Sequence, residues 1–153
     1  MPLLWLAQEE DGWVTPDAMR EIGDILGVTP AEVLGTGSFY TMYKREPVGR
    51  HLISVCRGLP CMWRGSEELV DHLFGALGIG PGQTTDDGVF ALEEMECAAA
   101  CGGAPCLQVN YLYGENMTTD LVDEMLSDLR VGRHPWMLQD GLPVGDHPGK
   151  AMA

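Results

Sequence analysis

The stretch His51-Leu52-Ile53-Ser54-Val55-Cys56-Arg57-Gly58-Leu59-Pro60-Cys61-Met62 decides how this chain is read. Its first half, His51 to Cys56, reads as a strand. Its second half spaces Cys56 and Cys61 as C-x4-C, just where that strand gives way to a loop. A second pair, Cys97 and Cys101, is spaced C-x3-C at the end of another predicted strand, Val89 to Glu96. Two pairs at strand ends can bring their thiols together beside one edge of a sheet. Four converging thiolates suit Zn²⁺ or an iron–sulfur cluster. Structural zinc usually takes tighter hooks, whereas looser spacings suit two irons that each take two cysteines. Spacing alone leaves both open. Neither pair has the C-x-x-C spacing of a redox dithiol. Simple burial of the four cysteines as small hydrophobes would not explain two near-symmetric pairs in glycine-rich loops.

A fifth cysteine, Cys106, repeats the C-x4-C spacing after Cys101 and could compete as a ligand. Its setting, Pro105-Cys106-Leu107-Gln108-Val109, reads as the start of a strand. Period-two alternation puts Leu107 and Val109 on one face and Cys106 with Gln108 on the other. Cys106 is therefore expected as a packed, non-ligating thiol near the cluster loops.

Outward from the cysteines, the chain falls into three zones: 1–45, 50–130 and 131–153. The first reads as helices. Helix one spans Pro2 to Glu10 and stops at Asp11-Gly12. Helix two opens at Thr15 with Pro16 in its first position, and repeats Met19, Ile22, Ile25 and Leu26 at helical spacing. Gly27 stops it. Helix three opens on a capping box, Thr29-Pro30-Ala31-Glu32, and Gly35-Thr36-Gly37 is expected to weaken it. The aromatics Phe39, Tyr40 and Tyr43 follow, then a linker from Lys44 to Gly49.

The middle zone alternates strands and helices. Ser66 is the expected cap of a helix with Leu69, Val70, Leu73, Phe74 and Leu77 on its apolar face. Gly78 to Gly88 reads as a loop, and Leu107 to Tyr113 as one strand. Thr118 or Thr119 caps a last helix carrying Leu121, Val122, Met125, Leu126 and Leu129, closed by Gly132. This order predicts a small α/β layer fold. The third zone, with Pro135, Pro143 and Pro148, reads as an irregular tail. The alternative is an arm that orders on a partner through Trp136 and Met137.

Composition bounds the function. The chain has 153 residues, enough to bury a core without staples. Nine basic against 23 acidic residues give a net charge of −14, which excludes a phosphate-binding face for nucleic acid and a polybasic grip on lipid. No apolar run is long enough for membrane insertion. The N-terminus lacks the basic start and cleavage site of a signal peptide, so the expected location is cytoplasmic. In that compartment five cysteines favour metal or redox chemistry over disulfides. Gly78-Ile79-Gly80-Pro81-Gly82 lacks the spacing of a dinucleotide loop, and Pro81 removes an N–H. The chain is therefore not expected to bind NADH by itself, and no catalytic residue is assigned. His51, His72, His134 and His147 are too scattered to suggest Cys–His ligation. Glu93, Glu94 and Glu96 read mainly as a solvated strand face, and Arg57 and Arg64 as charges that favour electron gain near the first pair.

The residues around the cysteines resemble a known family. Val55-Cys56-Arg57-Gly58-Leu59-Pro60-Cys61-Met62 and Glu96-Cys97-Ala98-Ala99-Ala100-Cys101-Gly102 are similar to the E-type, thioredoxin-like [2Fe-2S] subunits of respiratory NADH-quinone oxidoreductase (complex I). The likeness includes Leu6-Ala7-Gln8-Glu9-Glu10, Phe39-Tyr40-Thr41-Met42-Tyr43, Pro47-Val48-Gly49, Gly82-Gln83-Thr84-Thr85 and Gln108-Val109-Asn110. It runs from about Leu3 to Arg130.

The fold implied is α/β, a thioredoxin-like [2Fe-2S] ferredoxin domain over 50–130 preceded by an N-terminal helical bundle over 1–45. The resemblance implies Cys56, Cys61, Cys97 and Cys101 as the ligands of a [2Fe-2S] cluster. It further implies an electron-transfer subunit next to the flavin-bearing, NADH-oxidising subunit of the same complex, with FMN and NADH on that partner only. The complex would be peripheral to the inner membrane on its cytoplasmic side. The equivalent subunit of an NAD-linked hydrogenase or formate dehydrogenase is the alternative. A zinc-stabilised interaction module and a thiol sensor using Cys101 and Cys106 are readings from other classes. Three departures stand out. Gly35-Thr36-Gly37-Ser38 replaces the usual residues before the aromatics. Cys106 stands where the family usually has an apolar residue. Part of the family's first helix is expected to lie outside this sequence.

Overall fold

A computed structural model describes residues 1–139. Two compact units appear, Met1–Val48 and the described residues from Gly49 onward. The first is helical: α1 (Pro2–Asp11), α2 (Pro16–Leu26) and α3 (Pro30–Phe39). Each boundary has a local cause. Gly12 and Gly27 close α1 and α2 in the left-handed region. Thr15 Oγ1 accepts the Ala18 N–H, and Thr29 and Glu32 form the reciprocal capping box. The expected weakening of α3 does not occur, and the helix runs through Gly35 and Gly37 to Phe39.

Leu4, Val14, Met19, Ile22, Val33 and Tyr43 make the core of this unit. Ile25 and Leu26, expected on the same apolar face, are exposed. The buried Gln8 donates its amide to the Met42 carbonyl and accepts the Lys44 N–H, tying α1 to the segment after α3. Both backbone groups would otherwise be buried without a partner.

The second unit contains β1 (His51–Cys56), α4 (Leu59–Trp63), α5 (Ser66–Leu77), β2 (Gln83–Thr84), β3 (Phe90–Met95), β4 (Leu107–Val109), β5 (Leu112–Gly114), α6 (Thr119–Arg130) and β6 (Leu138–Gln139). The six strands form one sheet in the order β2-β3-β1-β4-β5-β6. β1 lies parallel to β3, and the other pairs are antiparallel. Period-two alternation sends Ile53 and Val55 of β1 into a core with Leu92, Leu107 and Val109. Leu69 and Leu73 of α5 and Val122, Met125, Leu126 and Leu129 of α6 fill the same core. Before β1, a Cβ on Gly49 would lie 2.6 Å from the Phe90 carbonyl carbon, so only glycine lets the chain enter the sheet here.

Several elements differ from the sequence reading. The segment after Cys56, read as a loop, contains the short helix α4. Ser66 does not cap α5. Gly65 takes that place at φ 99°, and Ser66 Oγ is buried without a hydrogen-bond partner. Phe74, expected on the buried face of α5, is exposed. The single strand expected over Leu107 to Tyr113 is a hairpin turned by Asn110 and Tyr111, both at positive φ. The Asn110 side chain accepts the Leu52 N–H and donates to the Arg50 carbonyl, which holds that turn against β1. In the zone expected to be irregular, Leu138–Gln139 pairs with β5, and Met137 is buried in this unit's own core. Trp136 is exposed, with its indole N–H on Glu124. The rest of the expected tail, 140–153, lies outside the described residues. No helix among the described residues is long and apolar enough to cross a membrane.

Candidate metal centre

Strand register assembles the site. In the parallel pair, Cys56 at the end of β1 is the partner of Met95 at the end of β3. Both chain segments therefore leave the sheet at the same end, and Cys97 follows two residues after Met95. The C-terminal edge of parallel strands is a common place for a site, because the loops there converge. On the other side, Val55 pairs with Leu107 of β4. One step further along puts Cys56 opposite Cys106, and the Cys56 N–H donates to the Cys106 carbonyl at 3.2 Å. α4 delivers Cys61. Pro60 sits in its first turn, where a missing N–H costs nothing, and Gly58 precedes the helix.

The Sγ atoms of Cys56, Cys61 and Cys106 all lie within 4.8 Å of one another, and all three residues are buried. Cys61 and Cys106 approach to 3.6 Å. Ala98, Ala104 and Tyr113 pack around them. Cys97 and Cys101 are exposed. Cys97 nevertheless stands beside the group: a Cβ on Gly58 would lie 3.4 Å from Cys56 Sγ and 3.8 Å from Cys97 Sγ. The bare Cα of Gly58 thus leaves a gap flanked by sulfurs from two strands. Cys101 opens a 3₁₀ turn, Cys101–Gly103, outside the compact thiol group. Of the four ligands the resemblance implies, two are already in that group and one borders it. The group's third member is the thiol expected to pack beside the loops.

Backbone donors face the sulfurs. Gly58 and Ala98 N–H groups both point at Cys56 Sγ at 3.4 Å, and the Ala99 N–H at Cys97 Sγ at 3.3 Å. The C-x3-C loop reaches this geometry with Ala99 at φ 58°. Tyr113 steadies it by donating its hydroxyl to the Ala98 carbonyl at 3.1 Å. Burial is the largest influence on Cys56 and pushes its thiol up. The Ala98 and Gly58 N–H groups, with the Cys61 and Cys106 thiols, outweigh it and bring the net value below that of an ordinary cysteine. Burial dominates the other way at Cys61 and Cys106 and raises both. Soft sulfur donors, N–H groups aimed at sulfur and a side-chain-free gap between strands all fit a thiolate-held cluster.

Other expected contributors fall elsewhere. Arg57 is engaged by Glu94 at 2.6 Å and by Glu67 at 3.4 Å, so its charge is largely balanced before it reaches the thiols. Glu93 accepts the Ser54 hydroxyl rather than facing solvent alone. None of the described histidines joins the thiol group, and His72 contacts Asp123. In the glycine-rich loop, the Gly80 N–H bonds Gln83 and the Gly82 N–H bonds the Leu92 carbonyl. These donors are committed within the chain rather than held for a phosphate. Sequence reading missed α4 and the Ala98, Ala99 and Tyr113 contacts. Gly58-Leu59-Pro60 is a helix-start signal that could have found α4. The other contacts depend on tertiary structure.

Known proteins agree with this geometry. NADH-quinone oxidoreductase subunit 2 of Thermus thermophilus is 43% identical over 134 residues, covering 87% of this chain and 74% of that one. An E-type subunit of the same enzyme from Rhizobium meliloti, its second copy, is 40% identical, covering 85% of this chain and 77% of its own length. The E-type subunit of Mycobacterium tuberculosis is 43% identical over 85% of this chain, which spans about half (52%) of that relative. In fold alone, an NAD⁺-reducing [NiFe]-hydrogenase in the H₂-reduced state aligns over 86% of this chain and 22% of its own, with TM-score 0.77 and 23% identity. The thioredoxin-like [2Fe-2S] ferredoxin of Aquifex aeolicus aligns over 65% of this chain and 99% of its own, with TM-score 0.51 and 18% identity. The pattern that defines the thioredoxin-like [2Fe-2S] ferredoxins matches residues 1–130. With its thiols gathered where parallel β1 and β3 end, this chain belongs to the thioredoxin-like [2Fe-2S] ferredoxin family.

Proposed function

We propose that this chain is the electron-transfer subunit of an NADH-quinone oxidoreductase, with Cys56, Cys61, Cys97 and Cys101 holding a [2Fe-2S] cluster. The observation that carries the reading is the delivery of Cys56 and Cys97 to one edge by the parallel β1–β3 pair, with N–H donors aimed at both sulfurs. Relatives at 40–43% identity are subunits of that enzyme. When bound, the cluster supplies a one-electron acceptor site. The chain's own work is to hold that site and to moderate its charge. Electron gain adds negative charge to a protein already at −14, which is unfavourable. The Gly58, Ala98 and Ala99 N–H groups offset this by hydrogen bonding to ligand sulfur.

The partner we propose is the flavin-bearing subunit that oxidises NADH, in a complex peripheral to the membrane on its cytoplasmic side. Support comes from α4, which carries Cys61 and leaves Leu59, Met62 and Trp63 exposed next to the centre. An apolar surface beside a redox site suits docking at short electron-transfer distance.

Anaerobic purification with iron, sulfide and zinc analysis tests the reading. Two irons and two sulfides per chain with a reducible paramagnetic centre are expected. Stoichiometric zinc without such a centre would replace this reading with the interaction module. Calorimetry with NADH tests the division of labour. The chain alone should give no binding heat, and tight binding would overturn the assignment of hydride chemistry to the partner.

A further inference from the structure

Cys106 lies outside the proposed ligand set, yet it is fully buried and 3.6 Å from Cys61 Sγ. Its position is imposed by the sheet. The β1–β4 register sets it opposite Cys56, the Cys56 N–H bonds its carbonyl, and Ala98, Ala104 and Tyr113 pack beside it. The thiol therefore cannot swing into solvent, and the sulfurs of Cys61 and Cys56 are both within 4.8 Å.

We propose that Cys106 donates its S–H to the Cys61 sulfur and so raises the reduction potential of the bound cluster, as a positioning and tuning residue rather than a ligand. This rests on the reading in which Cys61 is a ligand. A ligating Cys61 is a thiolate with no proton to give, which fixes the direction of the short S···S contact: Cys106 donates and Cys61 accepts. A donor on ligand sulfur stabilises the extra negative charge of the reduced state. Inside a dry pocket such a bond is electrostatically stronger than in water. The chain has few other means to the same end nearby, because Arg57 is already balanced by Glu94 and Glu67.

The test is a redox titration followed by paramagnetic resonance on the full chain carrying its cluster, for wild type, Cys106→Ala, Cys106→Val and Cys106→Ser. Alanine and valine remove the donor, and valine also refills most of the volume. Both should keep the resonance pattern and lower the potential by about 59 mV, a tenfold change in the one-electron equilibrium. Serine keeps an O–H donor and should remain closer to wild type. Wild-type potentials in the alanine and valine variants would overturn the proposal. A serine variant shifted as far as alanine would also overturn it, since packing rather than donation would then set the potential. Loss of the cluster in all three, with a wild-type spectrum in Cys101→Ser, would make Cys106 a ligand instead. A wild-type chain without iron, sulfide or a reducible signal would defeat the underlying reading, and it is recognised before any variant is compared.

Discussion

The two cysteine pairs are built differently. Cys56 and Cys61 are buried, one at the end of a central strand and the other in the helix that follows it. Cys97 and Cys101 are exposed, on a loop and the 3₁₀ turn that follows it. The first pair is fixed by regular hydrogen bonding and by the core behind it. The second is held by the Ala99 contact to Cys97 and by Tyr113 on Ala98. One half of the site is thus set by folding of the sheet. The other half gains most of its order from the bound group, as expected where metal binding contributes folding free energy.

This contrast can be broken by substitution. The largest effect is expected from Cys56→Ser, which removes the sulfur that receives the Gly58 and Ala98 N–H groups. It should abolish bound iron in chemical analysis, whereas Cys101→Ser should leave a residual, altered visible spectrum. Equal and complete loss in both would show that the halves are equally rigid. Next comes Leu107→Ala, which opens a cavity under the first pair at a fully buried position. A cost of about 2–5 kcal/mol is expected from the lost packing, read as a lower denaturant midpoint.

Gly58→Ala should cost less. Its Cβ would press on Cys56 Sγ and the Glu96 carbonyl at 3.4 and 3.5 Å, so the sulfurs must shift slightly. A loss of about 1–3 kcal/mol is expected for overpacking, with a changed cluster spectrum as its signature. An unchanged spectrum would show that the gap at Gly58 is not part of the site. Tyr113→Phe is the mildest. It removes one hydroxyl donor from the second loop, worth about 0.5–1.5 kcal/mol. The midpoint should move little, while iron release to a chelator should accelerate. Unaltered release would mean that the loop needs no anchor from β5.

Much of this was legible in the sequence because the signals are local. The Thr29–Glu32 box, the Thr15 and Thr118 caps and the glycine stops each act within one helical turn, so neighbouring residues suffice to place them. Alternation in His51–Cys56 and the spacing of the two cysteine pairs likewise need no distant information. Local signals failed where competing conformations are close in energy. Leu107 to Tyr113 alternates well enough for one strand, but contacts between Asn110 and Arg50 and Leu52 of β1 favour the turn. Leu138–Gln139 has no strand signal of its own and becomes a strand because β5 offers an open edge.

The sequence by itself determined that two thiol pairs sit at strand ends, in an acidic chain with helices before an α/β unit. Only the tertiary structure decided which thiols lie together. Parallel pairing of β1 with β3 brings Cys97 beside Cys56, and antiparallel pairing with β4 sets Cys106 opposite it. Register is a property of two strands at once, fixed by the shared core they bury, so no reading of one strand at a time could place Cys106 against Cys61.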